Sequence, residues 1–457
     1  MSAPLEARLR EAVAGSVLEP RVHLVADPFV ARRGGDAAAA ALAGPRLLGL
    51  ARAIVTQLEA ARHLAHRPLL LERIAAAGPE SLRARGDELA AAAAEAPADL
   101  EAALDALRLL RRDETLYAAV LELSGLASFD EFSFFLSRLA EAILGETLAR
   151  AQSSLGANAS GAALSVLGMG KIGGREFTIH SDLDLIFLCE GGVDAVALAS
   201  RVAQRLIAYL TTRTGAGVAY AVDSRLRPSG SQGVLVTTLD SFARYQRDEA
   251  QTWEHLALMR ARAVAGDVAR AAPVLAAAQG AVAGRHAPWA EVADMRRKVE
   301  EQRANDDGGR IAFKTGAGGL MDVDFLAAGA MLERGAQVAR PPIPGNAALL
   351  RAAAPGPAAE RLIGAYTVLR RLEACARWVS GRAIETLETG GEAFPLVEAL
   401  AAPGAPAGTL AERVRAARRE IRGGFDGVVG AGSIRALAGG GDEDARRAAQ
   451  RSAGRAE

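Results

Sequence analysis

Two aspartates one residue apart, Asp182 and Asp184, open the apolar run Leu183–Cys189, eight residues after the double glycine Gly173-Gly174. Side chains at i and i+2 of a strand face the same way, so both carboxylates should project together from a strand head. A buried strand cannot host such charges unpaired. Adjacent anionic oxygens are what a hard divalent cation such as Mg²⁺ takes as ligands. A glycine turn upstream lets backbone N–H groups approach phosphates. Cation, phosphate cradle and strand scaffold together point to nucleotidyl transfer. The plainer alternative has Asp182 capping a turn and Asp184 as a solvated strand end.

Two rival motifs fail. Gly168-Met-Gly170-Lys-Ile-Gly173, with Glu190 about 20 residues on, satisfies a dinucleotide-binding fingerprint. That fingerprint needs a full helix after the glycines. Residues 175–181 are too few for helix plus loop in a parallel crossover. No G-K-[ST] follows at the spacing of a Walker A loop either. Further along, Tyr220-Ala-Val-Asp223-Ser-Arg225-Leu-Arg227-Pro-Ser-Gly230 ends a strand with an acid and two arginines. Asp223 is the candidate third carboxylate of a two-metal arrangement. Arg225 and Arg227, at i and i+2, are candidates to neutralise a triphosphate. A strand-end ion pair with Asp223 is the alternative, although one carboxylate leaves the second arginine without a partner. Lys171 is read either as a phosphate contact or as a solvated loop lysine. Lys314, ahead of Gly316, Gly318 and Gly319 at a helix start, is a second phosphate candidate, against a tight packing turn. Asp322 and Asp324 favour the helix dipole. Trp253 is expected in the core with His255 as a polar neighbour, and the pair Arg260 and Arg262 as a lesser nucleotide candidate.

The elements that carry these residues divide the chain. Residues 1–155 read as helices, over 47–64, 89–97, 100–123 and 132–149, the last with Asp130 as N-cap. Small residues at 156–161 form a joint. A catalytic unit over 156–267 follows, with strands at 164–167, 183–189, 218–222 and 234–237 and helices at 194–212 and 239–262. Residues 268–429 are again mainly helical, with 311–326 expected to pack on the catalytic unit. Residues 430–457 have almost no large apolar side chain and read as a disordered tail.

The chain has 457 residues, half of them apolar, with only 4% aromatic. Cores of that kind are built from Ala/Leu/Val helices. The 54 basic residues balance 54 acidic ones, which argues against gripping a nucleic-acid backbone. Cys189 and Cys375 are too few for a disulfide framework, as in a reducing cytosol. No basic–apolar–small leader opens the chain, and charges interrupt every long apolar stretch, so a cytoplasmic, non-membrane protein is expected.

Three stretches, GMGKIGGREFTIHSDLDLIFL, YAVDSRLRPSGSQGVLVTTLDSFARYQRDEAQTWEHLALMRARAVAGD and FKTGAGGLMDVDFL, together closely resemble the glutamine-synthetase adenylyltransferase family. That family is a branch of the polymerase-β-like nucleotidyltransferases related to PII uridylyltransferases. The resemblance runs from about Phe132 to about Arg382 and is looser over 47–123. It implies an α+β, mostly helical fold in which helical domains flank a catalytic domain with a small mixed sheet. It also implies Asp182, Asp184 and Asp223 as metal ligands for Mg²⁺, two ions in all, and Gly173 and Gly174 as the phosphate loop. Ser181, Lys171, Arg225, Arg227 and Lys314 complete the nucleotide-binding candidates, with ATP as co-substrate. Family enzymes normally carry two such halves, one removing AMP by phosphorolysis and one attaching it. This chain has one copy, and its RLRPSG and YQRDEAQTWEH resemble the attaching half, since the removing half tends to have a bulkier residue than Ser229. The implied reaction puts AMP from ATP on a tyrosine of glutamine synthetase and releases pyrophosphate, with Asp223 accepting the tyrosine proton. The PII signal protein and a separate chain carrying the other half are the further partners implied. The alternatives are AMP removal, uridylyl transfer to PII, and an inactive binding module.

Overall fold

The computed structural model describes residues 4–156, 163–228, 230, 233–284, 288–303, 309–406 and 408–437. The chain is mostly helical around one small mixed sheet, an α+β fold. The two apolar runs make the centre. Strand β1 (Leu164–Gly168) is buried along its whole length, and β2 (Leu183–Cys189) is buried except at Asp184. They pair antiparallel, Leu164 opposite Cys189 and Gly168 opposite Leu185. A dinucleotide-binding unit needs parallel strands here, so this pairing excludes it. On the far edge of β2, β3 (Val222–Asp223) runs parallel to its first residues and β4 (Val236–Thr238) parallel to its last. β5 (Arg262–Gly266) closes the other side against β1, with a register shift between Val166 and Leu167.

Several elements differ from the sequence expectation. Residues 47–64 form two helices, Gly44–Thr56 and Leu58–Leu64, because Gln57 leaves helical geometry (φ −135°) and its side chain accepts from Glu59 N. The next helices are Pro68–Ala76, Ser81–Ala94, Leu100–Leu123 and Phe129–Ser153. The last starts earlier than expected and is capped by Ser128, not Asp130. Ser128 and Glu131 satisfy each other's backbone N–H in a capping box. The strand expected over 218–222 is reduced to β3, since Ala219 and Tyr220 both donate to Leu210 O instead of to a ladder. The helix expected over 239–262 is broken. Leu239–Asp248 ends, a second capping box at Gln251 and Glu254 starts Thr252–Leu258, and Arg262 opens β5. Trp253, expected in the core, is 38% exposed, whereas His255 is buried and its ring bonds Gln246 O.

The later helices include Val268–Val282, Leu320–Arg334, Asn346–Ala353, Pro357–Ser380 and Thr409–Ala431. Strand β6 (Arg310–Ile311) pairs antiparallel with β7 (Leu387–Glu388). The expected tail begins later than 430, because Ile434 and Leu437 are buried and Ser433 Oγ donates to Glu333 Oε1 (2.5 Å). Its remainder, 438–457, lies outside the described residues, as do 157–162 of the joint and Ser229. Cys189 and Cys375 are both buried and unpaired. Among the described residues no helix is long and apolar enough to cross a membrane.

Candidate active site

The connection from β1 to β2 builds the site. After β1 the chain makes one helical turn, Gly170–Gly173, then loops through 174–182. The turn is anchored on the strand it precedes, for Met169 N donates to Asp184 O (2.8 Å). Gly170 adopts φ +50°, and a Cβ there would lie 2.8 Å from Asp184 Oδ2. Gly170 is therefore the glycine that admits the acid. Gly173 and Gly174 are glycine for a different reason. A Cβ on Gly173 would sit 2.1 Å from Arg260 O, and one on Gly174 3.2 Å from Gly345 Cα and Pro344 O. Close backbone packing sets these two positions, not an open cradle.

The loop that follows is held from many sides. Arg175 and His180 both have left-handed backbone (φ 51° and 56°), a conformation that costs non-glycine residues roughly 1–2 kcal/mol each. Arg175 binds Glu141 through two bonds (2.9 and 2.7 Å), and Arg262 holds the same carboxylate. Glu176 is buried, with Arg260 (2.5 Å) on one oxygen and Asn346 N (3.0 Å) on the other. Arg260 continues to Asp324 (2.5 Å), and Asn346 joins Asp324 to the Tyr366 hydroxyl. Arg370 donates to Glu176 O (2.7 Å), Ser133 Oγ to Phe177 O (2.6 Å), and Phe177 N to Ser137 Oγ (3.1 Å). Ser181 is buried, with its hydroxyl accepting from Thr178 N (3.1 Å).

At the end of this loop the acids converge. Asp184 lies directly opposite Asp223 in the parallel β2–β3 register, and Asp182 is exposed two residues before Asp184. Burial pushes the Asp184 carboxyl up to about 7, and repulsion from Asp182 and Asp223 adds to the rise against the pull of Lys314 and Lys171. The donor chemistry suits a divalent cation, which would relieve that repulsion. As placed, however, the described residues contain no group of three His, Cys, Asp or Glu gathered closely enough to hold one. Asp223 is engaged by Arg225, whose side chain takes both of its oxygens (3.0 and 2.5 Å) and whose backbone N–H also donates to it (2.8 Å). That bonding holds the Asp223 carboxyl below its usual range. Arg225 is 77% exposed, so turning it aside costs little.

The two arginines do not act as an i, i+2 pair, because the strand ends at Asp223. Arg227 instead donates to Ser224 O (2.7 Å) and Gly233 O (3.3 Å), so the lack of a carboxylate does not leave it without partners. Lys171 is neither a solvated lysine nor free for phosphate: its Nζ donates to Glu373 Oε1 (2.6 Å). Burial alone would lift the Glu373 carboxyl, but Lys171 and Arg377 hold it down at about 2. Lys314 pairs with Glu385. Asp322, expected to serve the helix dipole, is fully buried against Arg296 and accepts from Gly318 N (2.7 Å), and Asp324 belongs to Arg260. Arg260 and Arg262 thus both brace the loop from within. Glu190, the acid of the excluded dinucleotide motif, pairs with Arg270.

Residues 46–277, a little over half of the 457, match the sequence profile of the glutamate-ammonia ligase adenylyltransferase family. The chain belongs to that family. Two relatives are each named a bifunctional glutamine synthetase adenylyltransferase/adenylyl-removing enzyme. The one from Chromobacterium violaceum is 33% identical over 344 residues, which cover 72% of this chain and 38% of the relative. The one from Nitrosococcus oceani is 37% identical over 298 residues, covering 58% and 30%. The chain therefore spans less than two fifths of the length of these curated relatives.

In this adenylyltransferase-family chain the matched segment takes in β1–β5 and all three candidate acids. It begins inside the Gly44–Thr56 helix, taking in the region 47–123 where the resemblance is looser, and it stops short of Lys314. Three residues with a structural claim on the site escaped sequence reasoning. Gly170 was hidden inside the excluded G-x-G-x-x-G motif, where its glycine was read for the wrong purpose. Glu176 sits in the quoted GGREF stretch, and an acid just before an apolar residue in a glycine turn was the available signal. Glu373 carried no local signal at all.

Proposed function

We propose that this chain transfers AMP from ATP to a tyrosine hydroxyl of glutamine synthetase, releasing pyrophosphate. The single observation that carries the reading is Asp184 facing Asp223 across β2 and β3, with Asp182 alongside and the Asp184 carboxyl lifted to about 7. Asp182 and Asp184 would hold Mg²⁺, with Asp223 joining them once Arg225 lets go. Bound there, the cation supplies charge neutralisation at the phosphates. The chain's own residues do the rest. The braced 174–182 loop fixes where Asp182 and Asp184 stand, which is the positioning part of phosphoryl-group chemistry. Arg225, with its head in solvent, exchanges Asp223 for the phosphates of ATP. A carboxylate held low by a guanidinium is a weak proton acceptor, so that exchange also frees Asp223 to take the tyrosine proton.

The relatives' names cover both addition and removal of the adenylyl group, which makes phosphorolytic removal the second reading. The PII signal protein as modulator and a second chain with the other family half belong to the same proposal. The test is to incubate the purified chain with glutamine synthetase, Mg²⁺ and ATP, and to weigh the intact synthetase. A gain of one adenylyl group per subunit, on tyrosine, is expected. Removal from modified synthetase in orthophosphate, with no addition from ATP, would overturn the direction and leave the site standing. No change in either mixture would overturn the function.

A further inference from the structure

A cleft of about 580 Å³ is lined along one wall by residues 177–181, the loop that leads through Ser181 into the candidate acids, none of which is in its lining. Its walls come from the Leu58–Leu64 and Leu100–Leu123 helices, the turn 216–220 and the C-terminal end of the Pro357–Ser380 helix. Much of the lining is apolar, with Leu116, Phe177, Tyr220 and Trp378. Arg111 and Arg112 stand among these groups. The Arg111 guanidinium lies 5.2 Å from the centre of the Tyr220 ring, and its Nε is buried with no hydrogen-bond partner. Neither guanidinium forms a hydrogen bond or ion pair with any described residue.

The neighbouring polar groups contrast with these two. Arg108, one turn earlier, donates to Leu104 O, Tyr209 O, Thr212 O and Gly217 O (2.6–2.9 Å), which fixes the turn that forms one wall. His63 is bonded to Asp113 (2.6 Å), which also holds Arg67. Glu59, the one acid in the lining, is paired with Arg62. The cleft thus presents two guanidinium groups that no carboxylate of the described residues pairs with, in a partly enclosed apolar setting where charge is poorly screened. A guanidinium stacked on an aromatic ring keeps its edge free as a planar fork for oxyanions.

We infer that this cleft binds a small organic oxyanion, a carboxylate or a phosphate ester with a short apolar body, at a site separate from the nucleotide and anchored by Arg111 with Arg112. Its floor is the loop that ends in Asp182, so occupancy is sensed one residue from the candidate acids. The inference does not depend on the proposed adenylyl transfer, and its test reads binding alone.

The experiment titrates the whole chain with inorganic phosphate and, separately, with succinate, against sodium chloride at matched ionic strength. Intrinsic tryptophan fluorescence, to which Trp378 in the cleft wall contributes alongside Trp253 and Trp289, and melting temperature are the readouts. A saturable response to one probe beyond that to chloride is expected, and the probe that produces it tells phosphate from carboxylate. Arg111→Gln should weaken it roughly tenfold to hundredfold, the range for a charged hydrogen bond. Arg111→Lys, which keeps the charge but loses the fork, should weaken it while leaving the melting temperature of the unliganded protein near wild type. Arg112→Gln, which removes the second guanidinium and leaves the Arg111–Tyr220 stack in place, guards against misfolding of the Arg111 variants. Asp182→Asn should leave the response intact, and ATP should not displace it. The inference is overturned if both probes act only as chloride does, if the arginine variants respond like wild type, or if ATP competes the probe away.

Discussion

Asp184→Asn should make the metal-free protein more stable at alkaline pH while destroying the activity proposed for it. Asp184 in the folded chain titrates at about 7 because of burial first and the charges of Asp182 and Asp223 second, against 3.8 for an unperturbed aspartate. The folded value is raised, so the stability linked to this group is fully present below about pH 4 and is lost as pH rises through about 7. That gap corresponds to a ceiling of about 4 kcal/mol above pH 8. Relaxation and hydration at a half-buried strand head bring the working figure to roughly 2 kcal/mol. Asparagine fixes the neutral form at every pH. Denaturant unfolding of EDTA-treated wild type and variant should therefore come closest below about pH 4 and diverge up to pH 8.5, with the variant more stable. Adding Mg²⁺ at pH 8 should then raise the wild-type melting temperature by mass action and leave the variant unmoved. Adenylylation of glutamine synthetase by the folded variant should fall by at least about 10³-fold, the scale for removing a principal electrostatic group. A stability difference independent of pH, or a variant weaker than wild type at pH 8 without metal, would refute the account of the three acids.

Gly170→Ala places a Cβ 2.8 Å from Asp184 Oδ2 at φ +50°, and should cost about 1–2 kcal/mol in unfolding together with a loss of Mg²⁺ stabilisation. Unchanged Mg²⁺ response would remove Gly170 from the site. Glu373→Gln leaves both the Lys171 ammonium and the Arg377 guanidinium without their shared carboxylate and should destabilise by about 3–5 kcal/mol, of which the double variant with Lys171→Met recovers only the part due to Lys171. Additive losses in that cycle would mean that the pair is not coupled. ATP with Mg²⁺ should raise the melting temperature and NAD should not, in wild type and in Glu190→Ala alike. Stabilisation by NAD that vanishes in Glu190→Ala would revive the dinucleotide reading.

What could be read from the sequence depended on how far apart the interacting residues lie. β1 and β2 were legible because each is a continuous apolar run bounded by turn residues, and Asp182 and Asp184 because they interrupt such a run. β5 was not. Its buried positions are Ala263 and Ala265, small side chains with no β preference, and they continue an apolar-periodic stretch that reads as helix. The glycines were legible as a tight turn, but not which of them faces the acid, because that depends on Arg260 O and Gly345 lying against Gly173 and Gly174. Lys171 was misread for the same reason: its partner lies 202 residues away. The role of Arg227 turned on where β3 ends, and strand ends are set by competing bonds such as those of Ala219 and Tyr220 to Leu210.

The distances along the chain between the 175–181 loop and its anchors also set an order of events during synthesis. β1, β2 and their partners up to β5 are complete once residue 266 has emerged. The loop at that moment still lacks Asn346, Tyr366, Arg370 and Arg377, and Lys171 lacks Glu373. At roughly 5–20 residues per second, the stretch from residue 266 to Glu373, about half of the 202 residues that separate Lys171 from its partner, takes about five to twenty seconds to appear. For that interval the nascent sheet carries a slack loop and an unpaired lysine that cannot yet be buried. Asp184 and Asp223 take their places with the β2–β3 pairing, but the loop that leads to Asp182 is fully braced only when the Pro357–Ser380 helix docks, so a ribosome-bound or prematurely ended chain would hold a formed sheet with an unbraced loop beside it.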